Sequence, residues 1–190
     1  LLEREAGPDA RARNYKVAAF YSISNCQPGL KGVNLGNFLI KRVADALKRE
    51  LPQLDRFCTL SPIPSFNAFL NSKEPLNPGV LAAEKIRAVE KLRASAVERL
   101  AAAGSGALPA PLLKDLSKLC AVHLIHSAAK DYPHADPVAR FHLGNGAQLK
   151  QINPNGDRSA KGIRESSGFM VNYAYELDNI ETNYEKFTAG

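Results

Sequence analysis

A change of hydrophobic period near residue 34 constrains the fold of this chain more than any other feature. Residues 17–23 form a short, almost continuous apolar run, which predicts a strand covered on both faces. From Asn34 apolar residues recur three and four positions apart, which predicts an amphipathic helix that stops at Pro52. Residues 56–61 predict a second strand, cut off by Pro62 and Pro64. A helical crossover of this length makes the two strands parallel, so we expect an α/β protein.

The rest of the chain adds helices first and strands afterwards. Apolar stripes predict helices at about 86–100 and 112–124, and because no repeat is visible we expect these to form an insertion or lid. Asp136 and Pro137 predict the start of a short helix over 138–143, which ends at the glycines that follow. Strands are predicted at 147–152 and 169–175, with alternate residues of the second strand on one side. The acidic tail from Glu176 is expected at the surface.

Composition and charge limit the class of partner. The 190 residues suit one globular domain, and the net charge of +6 favours an anionic partner: a phosphate-bearing small molecule, nucleic acid or a membrane surface. Cys26, Cys58 and Cys120 are an odd number without CxxC spacing, which indicates neither a disulfide framework nor a zinc site. We therefore expect a reducing compartment, the cytoplasm. No membrane-spanning run, signal-peptide pattern or Ser-Lys-Leu tail is seen.

The loop over 25–37 is the first candidate site. It connects a predicted strand to a predicted helix N-terminus, where free backbone N–H groups and close-approaching glycines favour a phosphate, and Lys31 adds a positive charge. The spacing is neither that of Walker A nor that of a dinucleotide-binding loop. An ordinary glycine-containing turn is the alternative interpretation.

Ser61 and His142 are the other candidates. Two prolines fix the backbone around Ser61 at the edge of the sheet, so its hydroxyl could orient a substrate, although a serine that satisfies its own turn is the simpler interpretation. No GxSxG elbow surrounds it. His142 falls in the last turn of a predicted helix, whose dipole is expected to stabilise the protonated imidazole. His123 and His126 lack a third ligand at matching spacing and are expected to have packing or surface roles.

Several blocks together resemble the catalytic domain of the malonyl-CoA decarboxylase family: Phe20-Tyr-Ser-Ile-Ser24, 27–41, Leu60-Ser-Pro-Ile-Pro64, 136–147 and 168–173. The resemblance implies an N-acetyltransferase-like (GNAT-like) fold of the α/β or α+β class, a mixed sheet with flanking helices. It divides the chain into a flexible leader, 1–15, and a CoA-binding catalytic domain, 16–190, with a helical insertion at about 66–135. It also implies a fragment that lacks an N-terminal helical domain and the first part of the catalytic domain.

The same resemblance implies a function and a set of site residues. The activity is decarboxylation of malonyl-CoA to acetyl-CoA and CO2 in fatty-acid metabolism, by a carboxy-lyase without cofactor or metal, in a homo-oligomer of the full-length chain. Ser61 and His142 would be the catalytic pair, and Ser22 and Tyr175 would line the malonyl pocket. The CoA-binding loop would comprise Lys31, Gly32, Val33, Asn34, Leu35, Gly36 and Asn37. Some relatives carry a carboxylate where Asn34 stands, so we expect no acid–base role at that position.

Two other classes of protein remain as alternatives. An acyl-CoA-dependent N-acyltransferase of the same fold would need an amine site and a base. A basic module that binds nucleic acid would explain the net charge, but the 25 Lys and Arg are spread among 19 acidic residues and Trp is absent. The aromatic residues also fall mainly in strand-like core patterns. We therefore expect neither nucleic acid nor a membrane as partner.

Overall fold

The computed structural model describes residues 15–21, 36–76, 81–104, 106–127 and 135–189, with backbone alone for 36–38. The strands are β1 (Val17–Phe20), β2 (Arg56–Thr59), β3 (Ser61–Pro62), β4 (Gln148–Asn153) and β5 (Met170–Tyr175). The helices are α1 (Gly36–Glu50), α2 (Phe66–Asn71), α3 (Ala83–Ala103), α4 (Ala110–His126), α5 (Pro137–Leu143), α6 (Ala160–Ser166) and α7 (Ile180–Ala189), with a 3-10 turn at Leu177–Asn179. The predicted leader, 1–15, lies almost wholly outside the described residues.

The strands form one mixed sheet built around β5. β1 and β2 are parallel, with Val17 opposite Arg56, and α1 lies between them in the chain, which confirms the predicted strand–helix–strand unit. β5 runs antiparallel to three strands: β2, β3 and β4. The mixed sheet with flanking helices is therefore confirmed. The N-acetyltransferase-like label and the division into leader, domain and insertion stay predictions.

Two details of the first strands differ from the sequence prediction. β1 is not covered on both faces, because Val17 is 43% exposed. The strand also lies at an edge of the sheet, since it pairs only with β2 among the described residues. An apolar run indicates a strand but not its place in the sheet. The predicted strand over 56–61 is broken at Leu60, whose N–H donates to Phe20 O. Pro62 does not end the pairing, since it lies opposite Met170 in the two-residue strand β3.

The buried face of β5 forms the centre of the core. Its burial alternates as predicted, with Val171, Tyr173 and Tyr175 buried, and Phe169 is buried just before the strand begins. The ring of Phe66 in α2 meets Phe169 edge-on, at 5.6 Å between centroids. Buried leucines of α4 belong to the same hydrophobic cluster. Helices from the predicted insertion therefore share one core with the sheet.

The C-terminal tail lies mostly at the surface, as the sequence predicts, but it forms a helix that was not predicted. Ile180 begins α7 and is buried. Gly146, with a φ of +77°, makes this packing possible, because a Cβ at that position would stand 2.2 Å from the carbonyl oxygen of Ile180. The helix was not predicted because α7 buries only Ile180 and its apolar stripe, Ile180, Tyr184 and Phe187, is short. The short helix α6 was not predicted either, whereas α2 lies at the start of the segment expected to be helical and carries Phe66, Phe69 and Leu70 at helical spacing. None of the helices in the described ranges is long and apolar enough to cross a membrane.

Candidate active site

Ser61 occupies a fixed place beside the central strand. It begins β3, where it lies opposite Val171 of β5, and its side chain faces the interior with 4% of its surface exposed. Pro62 and Pro64 restrict the backbone on its C-terminal side. The hydroxyl is therefore held by a sheet pairing and a rigid turn, as the sequence predicts, but it is buried and not at an open edge.

His142 is carried by the short helix α5. Asp136 caps that helix, accepting the N–H groups of Val138 and Ala139 on its side chain, and Pro137 is the first helical residue. Both features confirm the helix start that the sequence predicts. The helix ends at Leu143 with Gly144 as its C-cap, and the imidazole in its last turn is only 3% exposed.

The structure brings Ser61, His142 and Tyr175 into one hydrogen-bonded group. Ser61 Oγ lies 3.0 Å from His142 Nε2, and Tyr175 Oη lies 2.8 Å from His142 Nδ1. The imidazole also stacks on the ring of Tyr173, with 4.6 Å between centroids. A hydroxyl, an imidazole and a third group that orients the imidazole form an arrangement suited to proton transfer.

Thr59 extends this group and was not predicted. Its Oγ1 lies 2.9 Å from Ser61 Oγ and accepts the backbone N–H of Tyr173 at 3.4 Å. A consistent arrangement of hydrogens runs through the group: Thr59 donates to Ser61, Ser61 to His142 Nε2, and His142 Nδ1–H to Tyr175. Residues two apart in an extended segment face the same side. That alternation, applied to Thr59 and Ser61, was the signal that could have revealed Thr59.

Burial sets the protonation states of this group. It lowers the pKa of the His142 imidazole to about 4, so the ring is neutral near pH 7. The expectation that the helix dipole favours the protonated form is therefore wrong here, because loss of solvation outweighs the dipole. Burial likewise raises the pKa of the Tyr175 phenol, which stays protonated. The resting group is thus uncharged.

Most of the predicted substrate-binding residues cannot be compared with this geometry. Ser22 and the loop residues Lys31, Gly32, Val33, Asn34 and Leu35 lie outside the described residues. Gly36 and Asn37 begin α1, but their side chains are not described. The CoA-binding loop therefore stays a prediction.

The other described histidines have packing roles, as expected. His123 is buried, stacks on Phe69 and lies 2.9 Å from Ser65 Oγ through its Nε2. His126 is buried too, and its Nδ1 is 2.9 Å from Val122 O. Within the part of the chain that the structure describes, no three His, Cys, Asp or Glu side chains group together as a metal site requires.

An open cleft of about 740 Å³ lies apart from the buried histidine. Its polar lining includes Asn67, Arg158 and Arg164, and neither Ser61 nor His142 contributes to it. Asn67 itself is engaged, donating to the backbone of α6. Among the described residues that line the cleft there is no acid–base pair, so the chemistry of this chain is to be sought at His142.

A mixed sheet that holds a buried Ser–His–Tyr group is typical of an enzyme that transfers protons. The family model described as the malonyl-CoA decarboxylase C-terminal domain matches residues 1–190, and the chain belongs to that family. "Malonyl-CoA decarboxylase, mitochondrial" of Anser anser anser is 39% identical over 186 residues, which cover 90% of this chain and 37% of the goose protein. The protein of the same name from Rattus norvegicus is 37% identical over 198 residues, covering 96% and 40%.

The solved structures to which this chain is similar are also malonyl-CoA decarboxylases. Malonyl-CoA decarboxylase from Cupriavidus metallidurans superposes with a TM-score of 0.72 at 40% identity, covering 90% of this chain and 45% of that one. The enzyme from Rhodopseudomonas palustris gives 0.64 at 38% identity, covering 100% and 42%. The chain thus spans about two fifths of the length of the relatives that it matches.

Proposed function

We propose that this chain is the catalytic domain of an enzyme that decarboxylates malonyl-CoA to acetyl-CoA and CO2, and so controls the malonyl-CoA level in fatty-acid metabolism. The observation that carries the proposal is the buried 3.0 Å contact between Ser61 Oγ and His142 Nε2, with Tyr175 on the other ring nitrogen. The malonyl-CoA decarboxylases among its relatives support the choice of substrate.

The proposed reaction makes few chemical demands on the protein. When CO2 leaves, the electrons of the broken C–C bond pass into the thioester carbonyl, which is already an electron sink, so we propose a reaction without cofactor or metal. The protein must exclude water, stabilise the developing enolate oxygen and give one proton to C2. A nearly inaccessible Ser–His pair suits these demands.

We assign the proton to His142 and substrate orientation to Ser61. The buried imidazole is neutral near pH 7, since burial lowers its pKa to about 4. A malonyl carboxylate that enters beside it favours the imidazolium by charge attraction, so His142 takes up a proton as substrate binds and gives it to the enolate after CO2 has left. Tyr175, and Ser22 outside the described residues, line the malonyl pocket in this proposal.

The CoA moiety is proposed to bind at the loop of residues 31–37. Supporting observations are its glycines, the charge of Lys31 and the start of the fifteen-residue helix α1 at Gly36, where free N–H groups favour phosphate. The net charge of +6 is consistent with a polyanionic substrate.

Lys31→Glu tests this loop. We expect the variant to raise KM for malonyl-CoA about tenfold or more while kcat falls less, because the lysine contacts the part of the substrate that does not react. Lys114→Glu, at an exposed position of α4, is the control for the change in net charge. An unchanged KM in Lys31→Glu, or an equal rise in the control, would remove the phosphate role.

The proposal also covers the oligomeric state of the protein and its cellular compartment. We propose a homo-oligomer through the full-length chain, with neither nucleic acid nor a membrane as partner. A reducing compartment is supported by Cys58 and Cys120, which are free thiols in the described part of the chain. That compartment is the cytoplasm, as the sequence predicts, or the mitochondrion, as in the names of the goose and rat relatives.

The full-length protein is the material for testing the function. Malonyl-CoA labelled at its free carboxyl should give labelled CO2 and acetyl-CoA in a one-to-one ratio. Acetyl-CoA offered with a panel of amines should give no acetylated amine. Amine acetylation without release of CO2 would favour the N-acyltransferase alternative and contradict the proposal.

A further inference from the structure

A second buried polar cluster lies outside the catalytic group. It consists of Ser65, His123 and Asp136, and we call it the Asp136 cluster. Ser65 Oγ donates to Asp136 Oδ2 at 2.7 Å and lies 2.9 Å from His123 Nε2. Ser65 N–H donates to the same carboxylate oxygen at 3.2 Å. His123 and Asp136 are fully buried, so this cluster joins three segments of the chain in the protein interior.

The hydrogens of the cluster can be assigned from its chemistry. The Ser65 hydroxyl donates to Asp136 Oδ2, so its proton points to that oxygen. Ser65 Oγ then accepts a hydrogen bond from His123 Nε2–H, which fixes the tautomer of that ring. Each bond has one donor and one acceptor, and the interactions hold Ser65 in a single orientation.

The two oxygens of Asp136 hold different segments. Oδ1 accepts the N–H groups of Val138 at 3.0 Å and Ala139 at 2.9 Å, which caps α5. Oδ2 holds Ser65, the residue just before α2. The backbone N–H of Asp136 donates to Ser127 Oγ at 2.8 Å, beyond the end of α4. One carboxylate thus connects the start of the helix that carries His142 to the turn that follows Ser61.

The catalytic hydrogen bond joins the same two segments at a second point. Ser61 lies four residues before Ser65, across a turn stiffened by two prolines, and His142 lies six residues after Asp136, about 9 Å along the helix. Because α5 has only seven residues, its direction depends on its tertiary contacts. The link between Asp136 and Ser65 closes a ring that fixes how far His142 stands from Ser61.

We propose that Asp136 is a positioning residue for the decarboxylation, acting through Ser65 to hold His142 Nε2 against Ser61 Oγ. This inference rests on the proposed function. It differs from a capping role, because the cap uses Oδ1 and the positioning uses Oδ2. It predicts that the two roles can be separated by substitution.

Asp136→Asn separates them. Asn caps helices as well as Asp does, so the bonds to Val138 and Ala139 survive. The amide NH2 that replaces Oδ2 cannot accept the N–H and O–H of Ser65, so both of these bonds are lost, and a single bond from the amide to Ser65 Oγ is the most that can replace them. We expect kcat to fall about 10- to 100-fold with KM changed less than about threefold, since a displacement of about 1 Å costs up to about 100-fold in rate. Ser65→Ala should behave in the same way, and the double variant should be no worse than either single one.

Ser159→Ala is the matched control. Ser159 caps α6, which like α5 has seven residues, through a bond from Gly162 N–H. Its loss lowers the stability of the protein, but its side chain bonds to Gly162 and not to a described residue of either segment of the ring. We expect Tm to fall and kcat to stay at the wild-type value. Ser65→Thr, which keeps the hydroxyl, should rescue the rate lost in Ser65→Ala.

A crystal structure of each variant completes the test on the full-length protein. We expect the distance from Ser61 Oγ to His142 Nε2 to exceed 3.5 Å in Asp136→Asn and in Ser65→Ala. A distance that stays near 3.0 Å, or wild-type kcat in Ser65→Ala, overturns the proposal. If Asp136→Asn does not fold, Ser65→Ala alone decides. A wild-type protein that releases no CO2 would refute the proposed function instead, and the distances would still show whether the ring holds the pair.

Discussion

The buried hydroxyl of Thr59 orients the hydroxyl of Ser61 through a hydrogen bond. Its Oγ1 is the one hydrogen-bond partner of Ser61 Oγ, apart from His142, that the described residues provide. Thr59→Val removes that oxygen with little change in shape, whereas Thr59→Ser keeps it. One hydrogen bond contributes about 1 kcal/mol, so we expect kcat for decarboxylation to fall about fivefold in Thr59→Val and to remain within about twofold in Thr59→Ser. Equal rates in the two variants would contradict the role of Thr59.

His142 makes the stability of the protein depend on pH. Its pKa is about 4 in the folded protein and near 6.5 in the unfolded chain, so between these values the unfolded state binds the extra proton. The stability is therefore fully present above about pH 6.5 and falls as the pH drops toward 4. We expect His142→Gln to flatten this fall by up to about 3 kcal/mol, measured as the difference in free energy of unfolding between pH 7 and pH 4. If the free energy of unfolding fell with pH equally in the wild-type protein and in His142→Gln, His142 would not be the source of the pH dependence.

Some elements could be predicted from the sequence because their signals are local. The start of α5 follows from Asp136 and Pro137, and the buried face of β5 follows from alternation. The C-terminal helix and the break at Leu60 could not be predicted, because they depend on contacts with distant residues. The pairing of Leu60 N–H with Phe20 O is one of these, and the packing of Ile180 on Gly146 is another.

The contact between Gly146 and α7 gives a direct test of that packing. A Cβ at Gly146 would meet the Ile180 carbonyl and would also strain a backbone with φ of +77°. We expect Gly146→Ala to lower the free energy of unfolding by about 2 kcal/mol or more. Gly106→Ala, where the nearest atom would be 3.5 Å away, is the control and should have little effect. If Gly146→Ala were as stable as the wild-type protein in thermal or urea unfolding, the close contact would be refuted.

In the molecule as a whole, the sequence motifs predicted which side chains meet but not the protonation state of His142. The motifs named Ser61, His142 and Tyr175, and the fold brings all three within hydrogen-bonding distance. The motifs could not give the low pKa of His142, because burial depends on the entire core around β5. Nor could they reveal Ser65 and Asp136 as a link between the catalytic segments, since that link spans 71 positions of sequence.

The rate of CO2 release by the full-length protein and its variants at Ser61 and His142 is the decisive measurement. We expect His142→Ala and Ser61→Ala each to lower kcat by about 100-fold or more, and the double variant to be about as slow as the slower single one, because the two side chains act together. Ser95→Ala, at an exposed position of α3, should retain the wild-type rate. Near-wild-type CO2 release from either His142→Ala or Ser61→Ala would contradict the proposal that this buried pair decarboxylates malonyl-CoA.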